Sequence, residues 1–246
     1  MTKPTIVADN SKPKSFLEAL QAAIINRYAK PYGKNEPVVY EFTQDRALLH
    51  QYYLLRERMY QRMYNTTVTY EENVHDKLSY ILIARRGNLC LGGCRLTVRE
   101  YDEMWDLPLE NQDLKLRDMF TNLPLHTGRH AEISRFAVME DCGDENVFRN
   151  LCRLMYEKGI ELEIKYLFSK STYRLARNWR LILNSLGVKA TKIHRSVPSP
   201  LATSDEEWCI TVSDITPLYK KDDNGAEHPE QVIGMVNESP KLSLVD

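Results

Sequence analysis

Residues 132–138 read EISRFAV, which places a glutamate and an arginine three positions apart inside an otherwise apolar run. If the run forms a strand, alternation puts Glu132 and Ser134 on one face and Arg135 on the other. Charges inside an interior strand are costly unless they are paired or used. The stretch therefore predicts either a buried structural ion pair or part of a functional site.

The composition fits a folded domain with no overall electrostatic match to nucleic acid. The chain has 246 residues, 43% of them hydrophobic, and a formal net charge of −1, so it can bury the core of one large domain. Because the net charge is near zero, a charged partner would need a local patch. No run of about 18 apolar residues occurs, so we expect no membrane span.

The cysteines indicate a reducing compartment. Five occur, an odd and dispersed number, and no signal peptide is recognisable, so we expect reduced thiols and a cytoplasmic protein. Cys90 and Cys94 would share a face of one strand, but no second ligand pair with zinc-like spacing follows. We interpret them as small core residues and expect no metal site.

Changes in composition, together with residues that end helices and strands, divide the chain into three parts. Residues 1–37 are expected to form an N-terminal extension with one helix, which a capping box of Ser15 and Glu18 would start. Residues 38–217 carry the alternating apolar patterns of one folded domain. Residues 218–246 turn polar and are predicted to be a flexible tail.

The patterns inside 38–217 predict an α/β domain. Strands are predicted at 38–42, 79–85, 89–98, 131–138, 165–168, 188–194 and 208–212, and helices at 43–63, 116–120, 144–158 and 172–186. Gly92 and Gly93 inside the third strand indicate a bulge or a close backbone approach. This order predicts a mixed, mostly antiparallel sheet flanked by helices, and it resembles the three-layer acyl-CoA N-acyltransferase (GNAT-like) fold.

The segment after strand 131–138 departs from the acetyltransferase pattern. There a phosphate-binding loop of the form Q/R-x-x-G-x-G/A normally opens a helix, and its backbone amides wrap a pyrophosphate. Here residues 139–146 contain a single glycine among several acids, and an acidic loop repels pyrophosphate. An acylated carrier protein is therefore a more natural donor than acyl-CoA, although acyl-CoA stays open.

Several blocks together resemble the acyl-homoserine-lactone (autoinducer) synthases. The family's L-R-x-x-x-F helix, second acid of D-x-x-D, G-x-x-R-L strand, L-x-D-x-F segment and E-x-S-R-F-A-V block correspond to residues 55–60, Asp76, 93–96, 116–120 and 132–138. The resemblance covers roughly residues 38–215. It implies an acyltransferase that joins an acyl group to the amine of S-adenosylmethionine, closes the lactone and releases methylthioadenosine for quorum-sensing signal production.

The resemblance also assigns roles to named residues. Glu132 and Arg135 would be catalytic, with the glutamate taking a proton from the amine or both residues orienting the reactants. S-adenosylmethionine would be bound by four residues, with the acid facing the sulfonium and an arginine gripping the carboxylate. These four are Arg56, Tyr60, Asp76 and Arg95. S-adenosylmethionine is a substrate here, and no cofactor is implied.

Two departures keep other functions open. The first acid of D-x-x-D is Asn73, and Thr66 stands where the family has an aromatic residue, usually Trp. An N-acyl amino acid synthase of the same fold, which acylates a free amino acid, is one alternative. A non-catalytic module that binds acyl carriers through a basic surface is another. As a separate alternative, Arg56 and Arg58 of the 43–63 helix are solvated rather than part of a site. Four tyrosines are expected to pack as core or pocket wall, namely Tyr52, Tyr53, Tyr60 and Tyr64.

One basic cluster remains to be explained. Arg174, Arg177 and Arg180 recur every three residues on one predicted helix, and Lys170 lies just before them. The cluster is either a solvated helix face or a dock for an acidic acyl carrier protein, whose binding would be steered by charge and weakened by salt.

Overall fold

The computed structural model describes residues 36–64, 73–100, 105–111, 113–140, 146–185, 188, 191–197, 208–216, 219–221 and 227–229. Three features discussed above lie outside these residues. They are the helix predicted after Ser15, the position of Thr66, and residues 141–145 of the acidic segment.

The predicted strands and helices of the domain are present, with ends shifted by a few residues. The strands are β1 (Val39–Phe42), β2 (Tyr80–Arg86), β3 (Leu89–Arg99), β4 (His130–Val138), β5 (Tyr166–Thr172), β6 (Thr191–Val197), β7 (Trp208–Asp214), β8 (Tyr219–Lys221) and β9 (Glu227–Pro229). The helices are α1 (Arg46–Tyr64), α2 (Val74–Lys77), α3 (Leu116–Met119), α4 (Val147–Glu161) and α5 (Tyr173–Ser185). Strand β5 extends beyond the predicted Phe168 because it pairs along its whole length with β7.

The first seven strands form one sheet in the order β1-β2-β3-β4-β5-β7-β6. Neighbouring strands are antiparallel except β4 and β5, which run parallel. The predicted α/β architecture, a mixed and mostly antiparallel sheet between helices, is confirmed.

Strands β8 and β9 form a separate antiparallel hairpin. They lie within residues 218–246, the segment predicted to be a flexible tail. The domain limits at residues 37 and 217 stay predictions.

The sheet buries a different apolar cluster on each face. Helices α4 and α5 cover one face, where Leu96, Ile133 and Leu151 belong to the same core cluster. Helix α1 covers the other face, where Tyr52 packs with Ile83 and other buried residues. Alternation along the strands assigns their side chains to one cluster or the other.

The two parallel strands separate after a short contact. β4 pairs with β5 only from His130 to Glu132, opposite Tyr166 to Phe168. Beyond Glu132, β4 continues against β3 and β5 continues against β7. An opening therefore forms in the middle of the sheet, with Glu132 at its closed end.

A bulge lies on β4 just past that point. Between the pairs Gly93–Ala137 and Arg95–Ser134, two residues of β4 face one residue of β3. The first of the two, Arg135, has a φ of 58°. This left-handed conformation suits glycine and costs other residues about 1 kcal/mol or more. A bulge re-aims a side chain, and the backbone here is held in that state at an energetic cost.

Candidate active site

A buried ion cluster lies on the α1 face of the sheet. Arg56 of α1 donates from both Nη atoms to the carboxylate of Asp76 over 3.2–3.3 Å. Arg95 of β3 donates from Nη1 to Asp76 Oδ1 over 2.8 Å. Burial by itself raises the pKa of Asp76, but the two guanidinium groups outweigh it and the net shift is downward. Asp76 therefore stays ionised, and two cations face one carboxylate.

Asn73 organises the short helix that carries Asp76. Its Oδ1 accepts from the Asp76 N–H over 3.0 Å, and Asp76 Oδ2 accepts from the Asn73 N–H over 3.1 Å. This reciprocal pair is a capping box. Arg95 Nη1 also donates to Asn73 Oδ1, over 3.4 Å. An amide here preserves these hydrogen bonds without adding a second negative charge, so the cluster keeps a net positive charge.

Glu132 lies on the same face, where β4 leaves β5. Its Oε2 accepts from the Leu109 N–H over 2.6 Å, and the residue is 4% exposed. Burial raises the pKa of Glu132, and the neighbouring charges of Arg95 and Arg135 do not cancel the shift. The carboxylate therefore holds a proton more readily than an ordinary glutamate, as a general base needs.

Arg135 also lies on the α1 side. Its guanidinium carbon is 5.9 Å from the centroid of the Tyr60 ring, and its charge acts on both Glu132 and His75. The expectation that Glu132 and Arg135 point to opposite faces is wrong. The bulge inserts one residue and resets the alternation, so that Phe136 packs in the α4 and α5 cluster instead.

The structure thus brings all six residues predicted for catalysis and acceptor binding to one side of the sheet, around the segment of β4 that separates from β5. Their individual roles stay predictions. The six are Glu132, Arg135, Arg56, Tyr60, Asp76 and Arg95.

Sequence reasoning missed His75, which belongs to α2 and directly precedes Asp76. Burial lowers the pKa of His75, and the positive charges of Arg95 and Arg135 lower it further. The imidazole is therefore neutral at neutral pH and is a second candidate to accept a proton. The signal available in the sequence was that His75 directly precedes Asp76, which was itself predicted as a site residue.

A second missed residue is Glu110, which shapes the loop beside Glu132. Its carboxylate accepts from the N–H groups of Leu107 and Leu116 over 2.9 and 3.0 Å, and from Arg99 Nη1 over 3.1 Å. These bonds join Leu107 and Leu116 and so fix the segment that contains Leu109, whose N–H donates to Glu132. No sequence pattern marks an acid in this position, because its partners are mainly backbone groups.

A leucine-rich cluster begins beside Glu132 on the same face. Phe168, which pairs with Glu132 in the sheet, belongs to it. The cluster combines loop leucines with side chains of β5 and β7, and its buried members are Leu107, Leu109, Leu114, Leu116, Phe120, Leu125, Phe168, Trp208, Ile210 and Val212.

The structure separates the residues of the basic cluster. Arg174, Arg177 and Arg180 are exposed on α5, and we call these three the arginine row. Lys170 lies on β5 and is partly buried. Burial lowers its pKa, while the charge of Glu132 opposes the shift. Lys170 is therefore close to Glu132 rather than a continuation of the arginine row.

Other features contribute nothing to this site. Among the described residues, no three His, Cys, Asp or Glu side chains are grouped to hold a metal ion. No helix in the described ranges is long and apolar enough to cross a membrane. A surface cavity of about 260 Å³ near Tyr80, Trp105 and Arg129 includes none of the candidate residues.

Two solved structures share this fold. The crystal structure of the AHL synthase LasI matches with a TM-score of 0.52 and 13% identity, over 74% of this chain and 91% of that chain. The structure of FeeM, an N-acyl amino acid synthase from uncultured soil microbes, matches with a TM-score of 0.50 and 10% identity, over 74% of this chain and 92% of that chain. No protein-family model and no curated protein matches the sequence.

At these identities the likeness shows the fold. The chain has the fold of an acyl-homoserine-lactone synthase and of an N-acyl amino acid synthase, and the predicted resemblance is confirmed at that level.

Proposed function

We propose that this protein is an acyltransferase that moves an acyl group from a thioester to the amine of S-adenosylmethionine and releases an N-acyl homoserine lactone. The main support is the opening between β4 and β5, with Glu132 at its closed end and Arg135 at the bulge. An extended thioester arm can lie along the edge of β4 that no longer pairs with β5. Glu132, whose pKa is raised by burial, would then be the base beside the thioester.

The first step forms an amide. Glu132, directly or through a water molecule, takes a proton from the ammonium group of the acceptor. The amine nitrogen attacks the thioester carbonyl carbon, the carbon–sulfur bond breaks, and the donor thiol leaves with a proton. Backbone N–H groups of β4 near the bulge are suitable donors for the oxyanion that forms on the way.

The second step closes the lactone. The acceptor carboxylate attacks its own γ-carbon, the bond from that carbon to the sulfonium sulfur breaks, and methylthioadenosine leaves as a neutral thioether. Arg135 suits the carboxylate, because its guanidinium lies on the α1 side of the sheet beside the Tyr60 ring and can grip a carboxylate with two N–H groups. The Tyr60 ring beside it offers a π-face for the sulfonium cation.

A free amino acid is the second candidate acceptor, and one observation favours it. Two guanidinium groups face the single carboxylate of Asp76, and Asn73 adds no negative charge. The resulting positive field attracts a carboxylate and disfavours a sulfonium. With this acceptor the reaction would stop after the first step, and the product would be an N-acyl amino acid.

The donor is proposed to be an acyl carrier protein, with acyl-CoA as the alternative. The exposed arginine row on α5 gives an acidic carrier a complementary surface. The acidic segment after β4 disfavours a pyrophosphate, although Glu140 itself is paired with Arg62 over 2.6 Å. The leucine-rich cluster beside Glu132 is the proposed site for the acyl chain.

The test is mass spectrometry of products formed from S-adenosylmethionine or free amino acids with acylated carrier proteins or acyl-CoA. Methylthioadenosine together with an acyl lactone would support the proposal. An acylated amino acid without methylthioadenosine would support the second candidate. Carrier binding with no product from any pair would leave the non-catalytic module.

Two variants identify the base. Glu132→Gln should abolish turnover but spare carrier binding, whereas His75→Asn should keep most of the activity. The reverse result would transfer the role of base to His75.

A further inference from the structure

We infer that Tyr52 of α1 is a positioning residue that holds the β4 bulge in the conformation that directs Arg135 into the candidate active site. The inference rests on the proposed function, in which Arg135 must face the acceptor. It assigns to Tyr52 a role beyond packing in the core.

The bulge needs such a support because of its central residue. Arg135 has a φ of 58°, a conformation that L-residues other than glycine avoid. In an ordinary strand conformation the alternation would turn its side chain to the opposite face, away from Glu132. The position of the guanidinium therefore depends on whatever keeps this one residue left-handed.

Tyr52 acts on that same residue. Its Oη donates a hydrogen bond to the carbonyl oxygen of Arg135 over 2.6 Å. The side chain is fully buried and packs with Leu49, Ile83 and Ala137 in one cluster. Burial raises the pKa of Tyr52, so the phenol keeps its proton and remains a donor.

The opposite strand leaves room for the Tyr52 ring. A Cβ atom on Gly93 would lie 2.8 Å from Tyr52 Cδ2 and 2.8 Å from the Leu82 carbonyl oxygen. Gly93 pairs with Ala137 at the edge of the bulge. A residue without a side chain is therefore required where the ring crosses the strand to reach Arg135.

Helix α1 also contacts β4 beyond the bulge. Met59 Sδ accepts a hydrogen bond from the Val138 N–H over 3.0 Å. Together, Tyr52 and Met59 attach α1 to β4 at the bulge and just beyond it, and the Tyr52 bond is the one made to the left-handed residue itself.

The test compares wild type with Tyr52→Phe, which keeps the ring and removes the hydroxyl together with its hydrogen bonds to Arg135 and Arg56. We expect kcat for acyl transfer to fall about tenfold, the size of one buried hydrogen bond. KM for the acyl donor should stay within about twofold, because donor binding does not involve Arg135. Tyr156→Phe is the matched control, since it removes another buried tyrosine bond, 2.8 Å to Ser213 Oγ, on the far face of the sheet. It should leave kcat unchanged.

A double-mutant cycle with Arg135→Gly tests the mechanism. Without the Tyr52 bond, Arg135 can leave the left-handed conformation and recover its strain energy, whereas glycine has no such strain to recover. Tyr52→Phe should therefore lower Tm more in the Arg135→Gly background than in wild type. The backbone NMR shifts of Arg135 should also move away from left-handed values in Tyr52→Phe and stay unchanged in Tyr156→Phe.

Each outcome separates the inference from the proposed function. If wild type transfers no acyl group to any acceptor, the proposed function fails, and the Tm cycle and NMR shifts still decide whether Tyr52 holds the bulge. If wild type is active and Tyr52→Phe keeps its kcat, the positioning role is wrong. Equal Tm losses in both backgrounds would likewise overturn it.

Discussion

Two buried carboxylates on one face of the sheet have opposite properties. Asp76 accepts from two arginines and from its own capping partner, and its pKa is lowered. Glu132 accepts a short bond from a backbone N–H, its nearest arginines do not offset its burial, and its pKa is raised. Both are almost inaccessible to solvent, so burial alone does not explain the difference.

The comparison shows that charge pairing decides which carboxylate is structural. The Asp76 carboxylate is matched by cations that meet it directly, so it stays ionised and links α1, α2 and β3. The charges and hydrogen bonds around the Glu132 carboxylate do not offset its burial, so its pKa is raised and it is ready to exchange a proton. Environments that push two nearby carboxyls apart in pKa mark an acid or base role for the raised one.

The largest expected effect comes from removing the carboxylate with the raised pKa. Glu132→Gln should lower kcat about 1000-fold, within the range for loss of a general base, while Tm stays close to wild type. Steady-state kinetics and thermal unfolding measure the two quantities. Glu157→Gln, which alters a half-buried ion pair with Arg153 on α4, is the control that should keep full activity. A Glu132→Gln variant with normal turnover would remove this residue from the chemistry.

The opposite pattern is expected for the matched carboxylate. Asp76→Asn leaves two buried guanidinium groups without their counter-ion and should cost about 3 kcal/mol of unfolding free energy or more. Asp106→Asn is the control, because Asp106 pairs with Arg99 and Lys115 but is 43% exposed, and it should cost less than about 1 kcal/mol. Chemical denaturation measures both. Equal losses would mean that the Asp76 cluster contributes no special stability.

The pH dependence should also distinguish the two residues. Activity should fall on the acid side at a pH above 4.5, the ordinary value for glutamate, because the pKa of Glu132 is raised. The unfolding free energy of wild type, compared with that of Glu132→Gln, should be most favourable below pH 4.5. This advantage should be lost as the pH rises through the raised pKa, because the folded protein favours the protonated carboxyl group.

For Asp76 the sign reverses. The advantage of wild type over Asp76→Asn in unfolding free energy should be complete above pH 3.8. It should be lost as the pH falls through the lowered pKa, because the folded protein favours the ionised carboxylate. Unfolding measured across pH for the two variants tests both slopes. Slopes of the same sign in both comparisons would contradict the assignment of one matched and one unmatched carboxylate.

The smallest effect concerns the arginine row of α5, a helix that covers the other face of the sheet from both carboxylates. Arg177→Glu in the arginine row should raise KM for an acylated carrier protein about fivefold at low salt and less at high salt, with kcat unchanged. Arg149→Glu, an exposed arginine on α4, is the charge-matched control and should have little effect. If both variants weaken the carrier equally, the docking surface does not lie on α5.

Most of the architecture was predictable from local patterns. Alternating apolar residues marked each strand of the sheet, and residues spaced for a helix marked α1, α4 and α5. The short helix α2 was missed because four residues carry no periodicity, although Asn73 is a good capping residue. The end of β5 was misplaced because its last residues are held by pairing with β7, a contact distant in sequence.

The sequence predicted which residues would lie together in the candidate site, but not how they are arranged. The six residues around β4 were named from ordered sequence blocks, and they lie together. Lys170 was grouped with the arginine row because it is adjacent in sequence, but it belongs to a strand and is close to Glu132. Glu110 carried no signal, because its partners are backbone groups and Arg99.

The sequence alone determined the order of elements, the mixed sheet and the residues that could carry chemistry, because side-chain period and residue type are local properties. Only the tertiary structure decided which way Arg135 points and which carboxylate is matched. The first depends on one inserted residue, whose register is set by β3 and by Tyr52 of α1. The charge matching of each carboxylate depends on which cations from other helices and strands lie within reach of it. No local sequence pattern encodes such contacts between elements.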